Sequence, residues 1–129
     1  MVEIIAIIRR KHAAATKEEL SRIGGAGYTT FPVLGRGRQR GLRSGPEGGK
    51  GLAFLPKVLF DLIVEDIQVQ ETIEALIRTN QTGQYGDGKI FVIEMTETYR
   101  ISTGLPAATG AARAGARESA ATTTEVVAE

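Results

Sequence analysis

The chain has no cysteine and no tryptophan, a single histidine, and only 5% aromatic residues among its 129 positions. Without cysteine there is no disulfide framework, no thiol nucleophile and no thiolate metal site, and nothing conflicts with a reducing cytoplasm, the compartment expected here. The lone His12 has no second imidazole to form a ligand pair. It reads as a solvated residue at a strand–helix turn, and no Ser-His-Asp set can be assembled at any spacing. No apolar run approaches the ~20 residues of a membrane span. The opening Met1-Val-Glu-Ile-Ile has an acidic residue at once and no basic segment, so no signal peptide is expected. The net charge is only +1. That and the shortage of stacking aromatics argue against nucleic acid as a partner. No Gly-x-x-x-x-Gly-Lys-[Ser/Thr] phosphate loop occurs.

What the chain does have is glycine next to basic residues. Thr82-Gly-Gln-Tyr-Gly-Asp-Gly-Lys-Ile90 sits between a helix-patterned and a strand-patterned segment. Gly35-Arg-Gly-Arg-Gln-Arg-Gly41 lies upstream. Such loops let backbone N–H groups approach an anion while a cation supplies charge. Two of them in so short a chain predict one site for a polyphosphate, with Arg38, Lys89, Arg100 and the amides of Gly86-Asp-Gly88 as candidates.

The patterning predicts one domain. Val2–Ile8 reads as a strand, Ala13–Ile23 as a helix stopped by Gly24-Gly25, and Tyr28–Leu34 as a strand whose Pro32 marks an edge or bulge. Gly37–Phe54 is a long glycine-rich loop. Lys57–Val64 is a third strand, Ile67–Asn80 a helix capped by Asp66, and Lys89–Thr96 a fourth strand. Asp61 is expected to meet a partner between strands or between subunits, and Glu65-Asp66 to serve helix capping. Leu105–Glu129 lacks aromatics and periodicity and reads as a disordered tail. The order β-α-β, loop, β-α-β predicts an α+β, ferredoxin-like domain with a four-stranded antiparallel sheet. Two helices cover one face only, yet Ile4, Ala6 and Ile8 point one way and Ile5 and Ile7 the other. The last strand repeats this, with Ile90 and Val92 against Phe91, Ile93 and Met95. The uncovered apolar face predicts a homo-oligomer.

These residues resemble the PII signal-transduction proteins. Glu3-Ile-Ile-Ala-Ile-Ile-Arg9 is similar to the family's opening strand, Gly35–Gly41 to the start of its T-loop, and Leu55-Pro-Lys57 to that loop's end. Thr82–Val92 is similar to its B-loop and Arg100-Ile-Ser-Thr-Gly104 to its C-loop, all in one register from about residue 2 to 104. The resemblance implies domain bounds of 1–104, with a T-loop at about 37–54, a B-loop at about 82–89, a C-loop at about 98–104 and a tail at 105–129. It implies a homotrimer that binds ATP or ADP in clefts between subunits. Thr29, Gly35, Gly37, Arg38, Gly86, Asp87, Gly88, Lys89 and Arg100 would then touch the nucleotide, Gln39 would ligate Mg²⁺, and Lys57 would pair with 2-oxoglutarate. The implied role is regulatory rather than enzymatic, acting on a target enzyme or membrane transporter through the T-loop. A slow ATP hydrolase is the weaker reading, since no general base is evident. Ser102 stands where the family usually has a second arginine. Arg40–Phe54 has no tyrosine to uridylylate, and Ser44 is that stretch's only hydroxyl. Val33-Leu-Gly-Arg-Gly37 and Asn80-Gln-Thr-Gly83 resemble the nitrogenase-associated branch, which points to nitrogen metabolism. Divergent relatives that serve carbon uptake, carbon fixation or transport are the alternative.

Overall fold

Strand β1 (Val2–Arg9) is the spine of the molecule. Its β-branched residues favour extended backbone, and alternation decides which way each one faces. Ile4, Ala6 and Ile8 are fully buried, while Ile5, Ile7 and Arg9 are half-buried on the other side. A computed structural model describes residues 1–25, 27–36 and 54–107. In it, β1 pairs antiparallel with both β3 (Leu55–Val64) and β4 (Lys89–Glu94), and β3 pairs antiparallel with β2 (Tyr28–Gly35). The order across the sheet is β2-β3-β1-β4. Helices α1 (Ala13–Arg22) and α2 (Val69–Asn80) pack together on one face. This is the ferredoxin-like arrangement that the element order predicts. Pro32 lies on edge strand β2 within an unbroken register, so it marks an edge and no bulge.

The core lies between sheet and helices: Ile4, Ala6, Ile8, Phe60, Leu62 and Val64 from the strands, Leu20 and Leu76 from the helices. Helix α1 ends in a Schellman arrangement. Gly24 has φ +69° and donates to the Ser21 carbonyl, and Gly25 donates to the Leu20 carbonyl, both at 3.0 Å. Across the helix pair, Glu19 accepts from Arg22 of its own helix and, at 2.7 Å, from Arg78 of α2.

Most element ends lie within two residues of the sequence reading, β3 beginning at Leu55 rather than Lys57 and α2 at Val69 rather than Ile67, and three further features depart from it. The cap before α2 is Glu65 rather than Asp66. Glu65 and Gln68 form a reciprocal capping box over a 3-10 turn at Asp66–Gln68, and Asp66 instead pairs with the N-terminal ammonium at 3.0 Å. Strand β4 stops at Glu94, two residues short, where β1 ends opposite it at Val2; beyond that pair the Met95 amide still donates to the Met1 carbonyl. Leu105-Pro106, read as the start of a tail, forms a two-stranded ribbon: β5 (Tyr99–Arg100) with β6 (Leu105–Pro106). Residues 37–53, most of the expected T-loop, and residues 108–129, the rest of the expected tail, lie outside the described residues.

Candidate functional site

The turn at residues 82–88 is built around one carboxylate. Asp87 Oδ2 accepts from the Thr82 amide at 2.7 Å and the Gly83 amide at 2.9 Å. Its Oδ1 accepts from the Thr82 hydroxyl and, at 3.2 Å, from the Arg9 guanidinium. Burial alone would raise the Asp87 carboxyl. The bonds from the Thr82 hydroxyl and amide, the Gly83 amide and Arg9 override it and hold the group well below the usual carboxylate range. Gly83, Gly86 and Gly88 all take positive φ. Gly88 also has no room for a side chain, since a Cβ there would lie 1.9 Å from the Ile7 carbonyl oxygen. The loop is thereby pressed onto the end of β1.

Cations gather at that end. Arg9 donates to the Tyr85 carbonyl at 2.7 Å as well as to Asp87, and Lys57 Nζ donates to the Gly86 carbonyl at 2.7 Å. Register places Arg9 opposite Lys57 and Lys89 opposite Ile7, so all three belong to the face away from the helices. Burial lowers the Lys57 pKa, and the charge of Arg9 lowers it further against the pull of Asp87. An ammonium so placed gains from a nearby anion. Lys89 is exposed and makes no hydrogen bond or ion pair among the described residues. Gly35 borders the same end of the face. A Cβ there would come within 3.2 Å of Lys57 Cγ, so the backbone and the lysine stem are in close contact.

Of the expected site residues, Gly35, Lys57, Gly86, Asp87, Gly88 and Lys89 therefore come together. Thr29 lies on the same face, opposite Asp61, four residues along β3 from Lys57 and so roughly 13 Å away at 3.3 Å per residue. Arg100 is at the far end. Its ribbon is tied to Met1, through Thr98 on the Met1 sulfur at 3.4 Å and the Met95 amide on the Met1 carbonyl at 3.2 Å. The eight residues of β1 separate it from the glycine turn, about 25 Å of strand. Within one chain Arg100 cannot join the cluster. Gly37, Arg38 and Gln39 lie outside the described residues, and with Gln39 goes the proposed metal ligand. Among the described residues no group of three or more acidic, histidine or cysteine side chains could hold a metal, and no helix is long and apolar enough to cross a membrane. Arg9 and Thr82 were not anticipated as site residues. Arg9 shares the face of Ile7, but only the strand register reveals that it reaches Asp87.

A family model described as "Nitrogen regulatory protein P-II" matches residues 1–105. The chain is 37% identical over 115 residues to the "Nitrogen fixation nifHD1 region GlnB-like protein 2" of Methanosarcina barkeri, covering 81% of this chain and 94% of that relative. It is 43% identical over 105 residues to the "Nitrogen regulatory protein P-II" of Pasteurella multocida, with the same coverage of each. It is 40% identical over 105 residues to the "Nitrogen regulatory protein P-II 1" of Escherichia coli, again covering 81% and 94%. The chain belongs to the nitrogen regulatory P-II family.

Proposed function

We propose that this protein is a regulator that senses ATP and ADP and controls a target protein through the loop at about 37–54, in nitrogen metabolism. The observation that carries the reading is the convergence of Lys57, Arg9 and Lys89 with the positive-φ glycines of the 82–88 turn on one end of the open sheet face. A phosphate chain needs several cations and backbone donors converging from different segments, and this end supplies them. Arg100 lies too far away to help within its own chain, so it serves the site of a neighbour, and the nucleotide binds between subunits of a homotrimer. Asp87 shapes the loop through its internal bonds, and Gly86, Gly88 and Lys89 present the contacts. Arg38 and Gln39 complete the phosphate and Mg²⁺ contacts, and Thr29 lines the adenine side. Lys57, already short of charge stabilisation, is the group for the carboxylate of 2-oxoglutarate. Relatives named for nitrogen regulation and for the nitrogen-fixation nifHD1 region support the metabolic assignment.

Calorimetric titration tests the reading. ATP and ADP should compete for one site per chain, and Lys89→Ala should weaken both by about tenfold or more, the loss of one charge-assisted contact. In the presence of Mg-ATP, 2-oxoglutarate should bind the parent protein and not Lys57→Ala. Unchanged nucleotide affinity in Lys89→Ala would remove the 82–88 turn from the site. An absent 2-oxoglutarate signal in the parent would leave an adenylate sensor alone.

A further inference from the structure

The glycine turn is gripped from the strand side by its carbonyls. Arg9 Nη2 donates to the Tyr85 carbonyl at 2.7 Å, and Lys57 Nζ donates to the next carbonyl, that of Gly86, also at 2.7 Å. The same Arg9 nitrogen holds Asp87 Oδ1 at 3.2 Å. Three consecutive residues of the turn are thus tied to two strands. Arg9 is the last residue of β1, and Lys57 is the third of β3.

These bonds fix the peptide N–H groups as well. A trans peptide is planar, with its C=O and N–H pointing opposite ways, and no cis peptide occurs here. With the Tyr85 carbonyl turned onto Arg9, the Gly86 N–H points away from Arg9. With the Gly86 carbonyl turned onto Lys57, the Asp87 N–H points away from Lys57. Neither amide donates to any acceptor among the described residues, whereas Thr82, Gly83 and Gln84 in the same turn all do. Backbone donors are rarely left unpaired, and neighbouring N–H groups presented by a turn form a concavity for an anion. Arg9 has little to offer an anion directly. Its charge faces the Asp87 carboxylate, and its side chain is only 26% exposed.

We infer that Arg9 is a positioning residue for phosphate, a role that rests on the nucleotide reading above: it turns the 85–86 peptide so that the Gly86 N–H meets the phosphate chain. Lys57 does the same for the Asp87 N–H. The phosphate is then held by peptide donors and by Lys89, and Arg9 acts through the turn without touching the ligand. The two amides are set before the ligand arrives, so binding does not have to order them.

The test follows ATP binding to the full chain by calorimetry and by backbone ¹H–¹⁵N shifts, in the parent, Arg9→Met and Arg9→Lys. In the parent, saturating ATP should move the Gly86 and Asp87 amide protons downfield, the mark of a charge-assisted hydrogen bond. Arg9→Met keeps an apolar stem and removes the donors. It should retain the parent's far-ultraviolet circular dichroism spectrum and bind ATP about tenfold more weakly, the worth of one such bond. Its Gly86 proton should no longer move on saturation, while that of Asp87, still set by Lys57, should. Arg9→Lys returns one nitrogen carrying several donors and should restore both the affinity and the Gly86 shift. A parent that binds no ATP would overturn the nucleotide reading and this role with it. A parent that binds ATP while Gly86 and Asp87 stay unmoved would overturn the positioning role alone, whether or not Arg9→Met folds. So would an Arg9→Met protein that binds as tightly as the parent. So would one that binds weakly yet keeps the full Gly86 shift, because Arg9 would then act on the phosphate as a charge.

Discussion

At the scale of single residues, Gly88 and Asp87 carry the most specific claims. Gly88 has φ +115° and would place a Cβ 1.9 Å from the Ile7 carbonyl oxygen, a backbone atom in the central strand that cannot swing aside. Gly88→Ala should therefore destabilise the fold by about 2–4 kcal/mol, combining left-handed strain with overpacking. Urea unfolding measures it, and a change below half a kilocalorie would mean that the turn does not press on β1. Asp87 makes a claim about acid. Its folded pKa is depressed, so its stabilisation is fully present above the unfolded value near 3.8 and is lost as pH falls through the folded one. Glu19, lowered to about 2 by hydrogen bonds from Arg22 and then Arg78, adds to the same acid limb. The discriminating quantity is the difference between parent and Asp87→Asn. It should be constant near neutrality and shrink as pH drops below about 4, and a difference independent of pH would show that the carboxylate charge does not hold the loop.

At the scale of elements, sequence patterning found every strand of the main sheet and both helices, because each has a hydrophobic period and a chemical stop. Gly24-Gly25 ended α1 as anticipated. The cap before α2 was misplaced by one residue because Glu65 and Asp66 are both acceptable there, and only the reciprocal reach of Gln68 separates them. Glu65→Ala should lower stability by about 1 kcal/mol, while Asp66→Ala, which removes an exposed pair with the terminal ammonium, should change it by less than half as much. Thermal unfolding of the two variants decides which residue is the cap, and equal losses would contradict the capping box. The β5–β6 ribbon was missed because four strand residues give no period to detect, and its turn reads only as Ser-Thr-Gly. The candidate site was legible through its glycines and Lys89, which are local in sequence. Arg9 was not, because its contact with Asp87 spans 78 positions and depends on which strands lie side by side.

At the scale of the whole molecule, the unanswered demand is the face away from the helices. Register assembles Ile5, Ile7, Leu59, Phe31, Ile63, Phe91 and Ile93 there, with Ile63 36% and Phe91 44% exposed. In the middle of this apolar surface sits Asp61, between Ile5 and Thr29, and its Oδ1 is buried without a donor among the described residues. Such an acceptor costs about 1–3 kcal/mol until a donor reaches it, and an apolar patch of this breadth is unfavourable in water. In the proposed homotrimer a second copy of the chain would answer both demands, and Arg100 of one chain would serve the glycine turn of another. The parent protein should scatter light as three chain masses at micromolar concentration. Phe91 is outside the buried core, so Phe91→Asp should leave the single chain folded while placing a charge on the contact face. It should scatter as one chain mass with an unchanged far-ultraviolet circular dichroism spectrum. Nucleotide affinity should fall together with assembly, since Arg100 then has no neighbouring site to serve. A parent protein that stays monomeric, or a Phe91→Asp monomer that binds ATP as tightly as the parent, would separate the open face from the nucleotide site and require the anion to be held by Lys57, Arg9 and Lys89 of one chain alone.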